Sequence, residues 1–557
     1  METYAQIVRL RAEDDKVGLC FDDRSWTWRE VVQEAADRSA AVAALVSAPE
    51  DRQIHIGVLL ENVPDFVFWL SAGSLAGAVV VGINASRSGP ELAQDIRHAD
   101  VDVIITEGRL AHLVDGTGHG LADDRIWNVD SEAYRQMLAP FRGSALPATL
   151  PTPKDLALLL FSSGSSGTPK AVIVSQERLA RLVEALVERI RMRRDSVTYL
   201  SMPLFHGNAI MMNLATATRV GATVGMRRRF SASQFSDDVH RFGATYVNYV
   251  GRALSYVLST PTDPRDANST LELAFGTEAS EADVAGFAER FGCEVSEGYG
   301  MSEGVFRLRR THNSPPGSLG LPQGDLDIRV YDEETGAECP RAQLDATGRL
   351  TNPEAVGQMV AVGLAHTFEG YYKNPEAMAD RVRGEDFWSG DLAYRDADGY
   401  FYFAGRSSDW LRVDSENIAA ALIERVLQRV PGVASTPVFA VPDPRTGDQV
   451  MAAVEMNHGH LFDAAKFGAC LEQDPEMGAK WWPTYVRVTK FIPLTGSGKV
   501  NKARLRTTGW HTDDSVYIRI GNTASYELLR DAHRAEIEAE FRAHGRSSLL
   551  PSSEPGA

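Results

Sequence analysis

The sequence predicts an α/β fold of layered subdomains, followed by a smaller C-terminal domain of different character. Three observations carry this. First, HIGVLL (55–60), AVVVGI (78–83) and VDVIIT (101–106) are short β-branched apolar runs, which read as buried parallel strands. Second, ERLARLVEALVERI (177–190) places Leu179, Leu182, Val183, Leu186 and Ile190 on one helical face. Strands alternating with such helices mark α/β layers through most of the first 400 residues. Third, the pattern changes after about residue 405. The turn-rich DADGYFYFAGRSSDW leads into ENIAAALIERVLQRV, read as a helix, and smaller strand and helix pieces follow to Arg504. A domain boundary is therefore set near Asp409. HRAEIEAEFRAH (533–544) reads as a short surface helix, and the tail GRSSLLPSSEPGA as disordered.

Bulk properties narrow the classes. A chain of 557 residues exceeds one core and suggests about two to four domains. A net charge of −18 argues against a nucleic-acid binder or a general binder of anionic membranes. Cys20, Cys293, Cys339 and Cys470 form no CxxC pattern, so a reduced cytoplasmic protein is expected. The charged start METYAQIVRLRAEDD does not read as a signal peptide. FVFWLSAGSLAGAVVVGI (66–83) is uncharged and long enough to span a bilayer. Ser71, Gly73, Ser74 and Gly77 interrupt it, and its end is β-branched. It reads instead as a buried helix, a glycine turn and a strand.

Between the strand-like LALLLF (156–161) and AVIV (171–174) lies SSGSSGTPK (162–170). Gly164 and Gly167 let backbone amides approach an anion. Ser162, Ser163, Ser165, Ser166 and Thr168 supply hydroxyls, and Lys170 supplies positive charge. Such a loop after a strand suits a polyphosphate. It is not a Walker A loop, because Pro169 stands where the second glycine would be. A flexible linker has similar composition, but linkers seldom sit between core strands.

Further motifs follow in order: PLFH (203–206), EGYGMSEG (297–304), WSGDLAYRDADGYFYFAGRSSD (388–409), ENI (416–418) and PLTGSGKV (493–500). With the serine-glycine loop they resemble the acyl-adenylate-forming superfamily, which contains acyl-CoA synthetases, over residues 15–505. RRRFSASQFSDDVHRFGATYVNYVG (227–251), GRSSDWLRVDSENI (405–418), WPTYV (482–486) and DDSVYIRIGNTASYELL (513–529) resemble one branch. That is the very-long-chain acyl-CoA synthetase and fatty-acid transport protein branch, which includes actinobacterial ligases for fatty and steroid side-chain acids.

The resemblance implies a large N-terminal adenylate-forming domain of layered α/β subdomains (1–408) and a small mobile α+β C-terminal domain (409–530) hinged at Asp409. Residues 531–557 form the surface helix and tail. It implies ATP, Mg²⁺ and CoA as cofactors and a small-molecule carboxylic acid as substrate. A homodimer and peripheral membrane contact are compatible with it; a transmembrane segment is not expected. The acid is activated to acyl-AMP, and a thiol then displaces AMP.

Site roles are carried over by motif. Ser162 to Thr168 and Lys170 would cradle the β- and γ-phosphates. Gly276, Thr277 and Glu278 would pass the adenine, with Glu297, Gly298, Tyr299, Gly300 and Ser302 in the same nucleotide site. Glu303 would hold Mg²⁺, since a hard cation prefers carboxylate oxygen. Asp391 would bind the ribose hydroxyls and Arg406 would reach the nucleotide, a structural ion pair between the two being the alternative. Lys499 would contact the reacting carboxylate and α-phosphate. His206, Tyr249 and Gly251 would line the acyl pocket, with Tyr246 to Gly251 as one wall. The small Ala209, Gly251 and Gly276 would make room for a bulky acid. Arg412, Ser415 and Glu416 would flank the CoA channel.

Two points stay open in the sequence. Family members often carry two glycines before Glu-Asn where the pantetheine arm passes, and this chain has Asp414 and Ser415. An acceptor other than CoA, an amine or a carrier-protein thiol, is the alternative, and a non-enzymatic acyl-binding or uptake protein is a second. Arg227 to Arg229 could bind CoA phosphates or form a solvated basic face.

Overall fold

A computed structural model describes residues 1–47, 49–161, 170–311, 313–345, 348, 350–406, 410–413, 416–445, 447–474, 481–495 and 498–551. Two compact units interleave along the chain. One comprises Met1–Thr311, Leu364–Val382 and Gly496–Lys499; the other comprises His312–Gly363, Arg383–Thr495 and Val500–Ala557. The compact units thus change over at several points along the sequence.

The first unit carries two sheets. One runs in the order Ile126–Asn128, Val103–Thr106, His55–Leu59, Val79–Gly82, Leu156–Phe161 and Ala171–Ser175. Its first five strands are parallel and the last pairs antiparallel. Every residue of His55–Leu59, Val79–Gly82 and Val103–Thr106 is buried, as their unbroken apolar character requires. The stretch considered as a membrane span is the helix Pro64–Ala76, closed by Gly77 at φ 66°, and the strand Val79–Gly82. Among the described residues no helix is long and apolar enough to cross a membrane.

The second sheet of this unit has Arg307–Arg309, Glu294–Gly300, Leu273–Thr277, Tyr246–Val250, Val197–Leu200, Thr223–Met226, Val17–Phe21 and Arg24–Thr27 as neighbours. From Glu294–Gly300 through Val17–Phe21 the pairings are parallel. The helix Gln176–Ile190 buries Leu179, Val183, Leu186 and Ile190 as the periodicity predicts, with Leu182 at the edge of the stripe.

The second unit departs from simple alternation. Ser318–Pro322, Ile328–Tyr331, Gly357–Ala361, Asp386–Arg395 and Phe401–Arg406 form an antiparallel sheet, so the α/β reading of the first 400 residues ends near residue 311. ENI is not helical: Glu416–Ala419 is a strand paired with Trp410–Val413, and the helix occupies only Ala420–Leu427. A further sheet joins Val433–Ser435, Val438–Pro442, Asp448–Met456, Tyr485–Thr489, Ser515–Arg519 and Tyr526–Leu528. The helix Asp531–Ala543 is anchored by the fully buried Phe541, which packs with Trp510 and Leu505. Leu550 joins that cluster, so the expected disorder does not begin at Gly545.

Candidate active site

Two groups of the expected site residues come together within the first unit. One surrounds Glu303. The strand Ala171–Ser175 follows the serine-glycine loop, and Ser175 caps the helix Gln176–Ile190 by accepting from the Arg178 amide. That places Arg178 in the first turn, where its side chain is buried. Its guanidinium donates to the Ser302 carbonyl at 2.7 Å and the Ile173 carbonyl at 2.5 Å, and lies 3.8 Å from Glu369. Arg178 thereby ties the strand leaving the loop to the YGMSE turn. Glu303 is 6% exposed and accepts from the Tyr371 hydroxyl at 2.5 Å. Tyr371 adjoins Val172 in a β-bridge, and Glu369 accepts from the Ser175 backbone at 2.8 Å. Burial and the neighbouring Glu303 carboxylate push the Tyr371 phenol far up, so it stays a donor.

A single carboxylate fits Mg²⁺, which keeps waters and substrate phosphate oxygens as its other ligands. Among the described residues no group of three or more His, Cys, Asp or Glu side chains could hold a metal ion.

The second group surrounds Lys499. Its Nζ lies 2.6 Å from the Glu278 carboxylate. Glu278 follows the strand Leu273–Thr277 and holds φ at 70°, a left-handed conformation rare outside glycine. His206 precedes the helical turn Gly207–Ala209 and rests on the Phe205 ring at 4.3 Å between centroids. Its Nε2 is buried without a hydrogen-bond partner among the described residues. Burial, and then the Lys499 charge, lower its pKa to about 4, so the imidazole is neutral at neutral pH. Gly251 has φ 61°, and a Cβ added there would sit 3.0 Å from the Gly498 carbonyl oxygen.

Gly276 does not open space for an acid. A Cβ there would lie 2.5 Å from the Tyr249 ring, which already fills that volume. Tyr249 is 2% exposed, belongs to an apolar core cluster, and donates to Glu297 at 3.2 Å. Glu297 also accepts from the Ala279 amide at 2.9 Å and lies 3.4 Å from Arg310. Tyr249 and Glu297 therefore brace the chain around Gly276 to Ala279. Ala209 is fully buried. Tyr299 packs edge-on against Phe306 at 6.2 Å. Gly298 lies against the guanidinium of Arg189, which stacks over Phe275 at 4.6 Å; burial lowers the Arg189 pKa to about 10.

In the second unit, Asp391 and Arg406 face one another in the register of Asp386–Arg395 and Phe401–Arg406, with Arg406 Nε 3.9 Å from the carboxylate. They are charge partners too far apart for a hydrogen bond. The Arg227 to Arg229 cluster is not a free basic face. Arg227 contacts both Asp238 oxygens at 2.8 Å, Arg228 pairs with Glu107 and Glu61, and Arg229 pairs with Glu61.

Ser162, Ser163, Gly164, Ser165, Ser166, Gly167, Thr168, Asp409 and Ser415 lie outside the described residues. Lys170 is half-buried at the start of the returning strand, and Ser302 is exposed beside Glu303. Arg412 and Glu416 stand on the paired strands Trp410–Val413 and Glu416–Ala419. Sequence reasoning missed Arg178, Tyr371 and Glu369. Arg178 read as one more polar residue of an amphipathic helix, and the other two lie in no motif.

The description "AMP-binding enzyme" matches residues 8–372, and "AMP-binding enzyme C-terminal domain" matches 422–499. The chain is 46% identical over 552 residues to the steroid-22-oyl-CoA synthetase of Rhodococcus jostii (strain RHA1), covering 98% of this chain and 99% of that one. It is 41% identical to the medium/long-chain-fatty-acid–CoA ligase FadD17 of Mycobacterium marinum, over 92% and 98% of the two chains. The fold is similar to ATP-bound MatB from Rhodopseudomonas palustris, with a TM-score of 0.76 at 22% identity over 91% and 99% of the chains. Family models spanning most of the chain and relatives of matching length lead to one statement: this chain belongs to the AMP-binding enzyme family.

Proposed function

We propose that the chain is an AMP-forming acid–CoA ligase whose acid is a steroid side-chain acid. The geometric observation that supports this best is the meeting of Lys499 with Glu278, beside the neutral His206. The Lys499 cation lies next to the strand end that would carry the adenine. The steroid assignment rests on the 46% identity to a steroid-22-oyl-CoA synthetase. A medium- or long-chain fatty acid is the second reading, favoured by the 41% identity to FadD17.

In the first half-reaction a carboxylate oxygen of the acid attacks the α-phosphorus of ATP, and the bond to pyrophosphate breaks. Two anions must approach, so the site must supply positive charge where charge develops. Lys499 would leave Glu278 for the carboxylate and α-phosphate, and Lys170 with the serine-glycine loop would hold the outer phosphates. Glu303, held by Tyr371, would bind Mg²⁺, which neutralises phosphate charge when bound. Asp391 and Arg406 would hold the ribose and nucleotide. In the second half-reaction the CoA sulfur attacks the acyl carbonyl, loses its proton, and AMP leaves. Rotation about Asp409 would carry Lys499 away and bring Arg412, Ser415 and Glu416 to the thiol channel. A cytoplasmic, thiol-reduced setting fits the four free cysteines. A homodimer belongs to the same proposal and is read by light scattering.

The test is a panel of bile-type steroid acids, fatty acids of several lengths and aryl acids, scored for pyrophosphate with and without CoA. Steroid acids should release pyrophosphate and give acyl-CoA. Release by fatty acids alone selects the second reading. Pyrophosphate without acyl-CoA points to an amine or carrier acceptor, and no pyrophosphate from any acid removes the enzyme reading altogether.

A further inference from the structure

A chain of hydrogen-bonded amides runs through the first unit and ends at Asn208, two residues after His206. The helix that begins at Gly207 widens to a π turn over Ile210–Leu214, and this turn puts Asn213 fully inside the core. Asn213 Nδ2 donates to the Tyr199 carbonyl at 3.0 Å and to Asn248 Oδ1 at 2.8 Å. Its Oδ1 accepts from the Thr198 hydroxyl at 2.6 Å. Asn248 is 1% exposed, and its Nδ2 donates to Asn208 Oδ1 at 2.5 Å.

The direction of this chain is fixed by chemistry. A backbone carbonyl only accepts, so Asn213 must turn its NH₂ towards Tyr199. Both hydrogens of that NH₂ are then used, on Tyr199 and Asn248. Asn248 must therefore present oxygen to Asn213 and its NH₂ to Asn208. Asn208 must present oxygen to Asn248, which leaves its own NH₂ facing away from the ladder. A reversed amide anywhere would set two acceptors or two donors against each other, leaving polar groups unsatisfied.

Asn208 is half-buried, two residues from His206, whose Nε2 has no hydrogen-bond partner among the described residues. Asn248 lies three residues before Gly251, which approaches the Gly498 carbonyl next to Lys499. The oriented NH₂ is thus carried two residues along the chain from an imidazole that feels the Lys499 charge. A donor whose direction is fixed suits an anionic oxygen acceptor.

We propose that the Asn208 side-chain NH₂ donates to a carboxylate oxygen of the acid, orienting the other oxygen for attack, and that the Thr198–Asn213–Asn248 ladder fixes this polarity. The proposal rests on the acid–CoA ligase reading and adds to it a second polar contact for the acid.

The variants Asn208→Asp and Asn208→Ala test it, with KM for acid and for ATP measured separately by pyrophosphate release. Asn208→Asp keeps an acceptor for Asn248 and replaces only the outward NH₂ by an anionic oxygen. Acid KM should rise about tenfold or more in both variants, most in Asn208→Asp, while ATP KM stays within about twofold. The rise should be the same for acids with and without additional oxygens. Asn248→Asp, which accepts from both neighbours and so reverses the Asn208 amide, should raise acid KM without any change at residue 208. Should this variant not fold, the two at 208 decide alone. Unchanged acid KM in Asn208→Asp overturns the proposal, as does a rise confined to acids with a second oxygen. Failure of the parent enzyme to activate any acid is a different result, because it removes the ligase reading itself.

Discussion

At the scale of single residues, charge and burial set the expectations. Lys499 is partly exposed and paired with Glu278, so its removal costs little stability. Lys499→Ala should lower pyrophosphate release about a hundredfold or more and leave the melting temperature nearly unchanged, which calorimetry and a pyrophosphate assay will check together. Tyr371→Phe keeps the ring but removes the donor to Glu303. It should raise the Mg²⁺ concentration needed for half-maximal rate, whereas Glu303→Gln should lose about a hundredfold at any Mg²⁺ concentration. His206 gives a pH prediction. Its folded pKa, about 4, lies below the unfolded value near 6.5. Between these values the unfolded chain binds a proton that the folded chain does not, so stability is full above about 6.5 and declines as pH falls towards 4. His206→Asn should therefore flatten the loss of denaturation midpoint between pH 7 and pH 5. A variant as acid-sensitive as the parent would show that His206 is not the group responsible.

At the scale of elements, the strand Leu273–Thr277 is braced from one side by the Tyr249 ring on Gly276 and from beyond its end by Glu297 on Ala279. A methyl at Gly276 must displace that ring, so Gly276→Ala should destabilise the protein by about 1–3 kcal/mol and raise the KM for ATP. Denaturant midpoints and ATP titrations measure the two effects. This brace shows where sequence reasoning stops. Glycine at 276 reads as room for substrate, because a sequence does not say which ring occupies the vacant volume. The parallel strands near residues 55, 79 and 103 were legible, because strands buried on both faces must be continuously apolar. The strand Glu416–Ala419 was not, since ENIA carries no alternation to set it apart from the following helix. The contact of Tyr371 with Glu303 spans 68 residues and that of Arg178 with Ser302 spans 124, so periodicity could reveal neither.

At the scale of the whole molecule, the residues flanking Asp409 share apolar packing. Leu350, Tyr394 and Tyr402 cluster with Ala419 and Leu422, and Arg425 donates to the Tyr394 hydroxyl at 3.2 Å. The rotation proposed about Asp409 would have to part these groups. Asp409→Pro would fix φ at the proposed hinge. It should leave pyrophosphate release within a few-fold of the parent while acyl-CoA formation falls much further; parallel losses in both assays would argue against a hinge there. The path of the chain has its own consequence. Leu364–Val382 returns to the first unit between two stretches of the second, and it brings Glu369 and Tyr371 to Ser175 and Glu303. A fragment ending near residue 363 would thus lack the partner of its own Glu303, and proteolysis in the 364–382 segment would disarm the site while sparing every recognisable motif. A cut at residue 363 thus parts Glu303 from Tyr371, a partner that no motif marks.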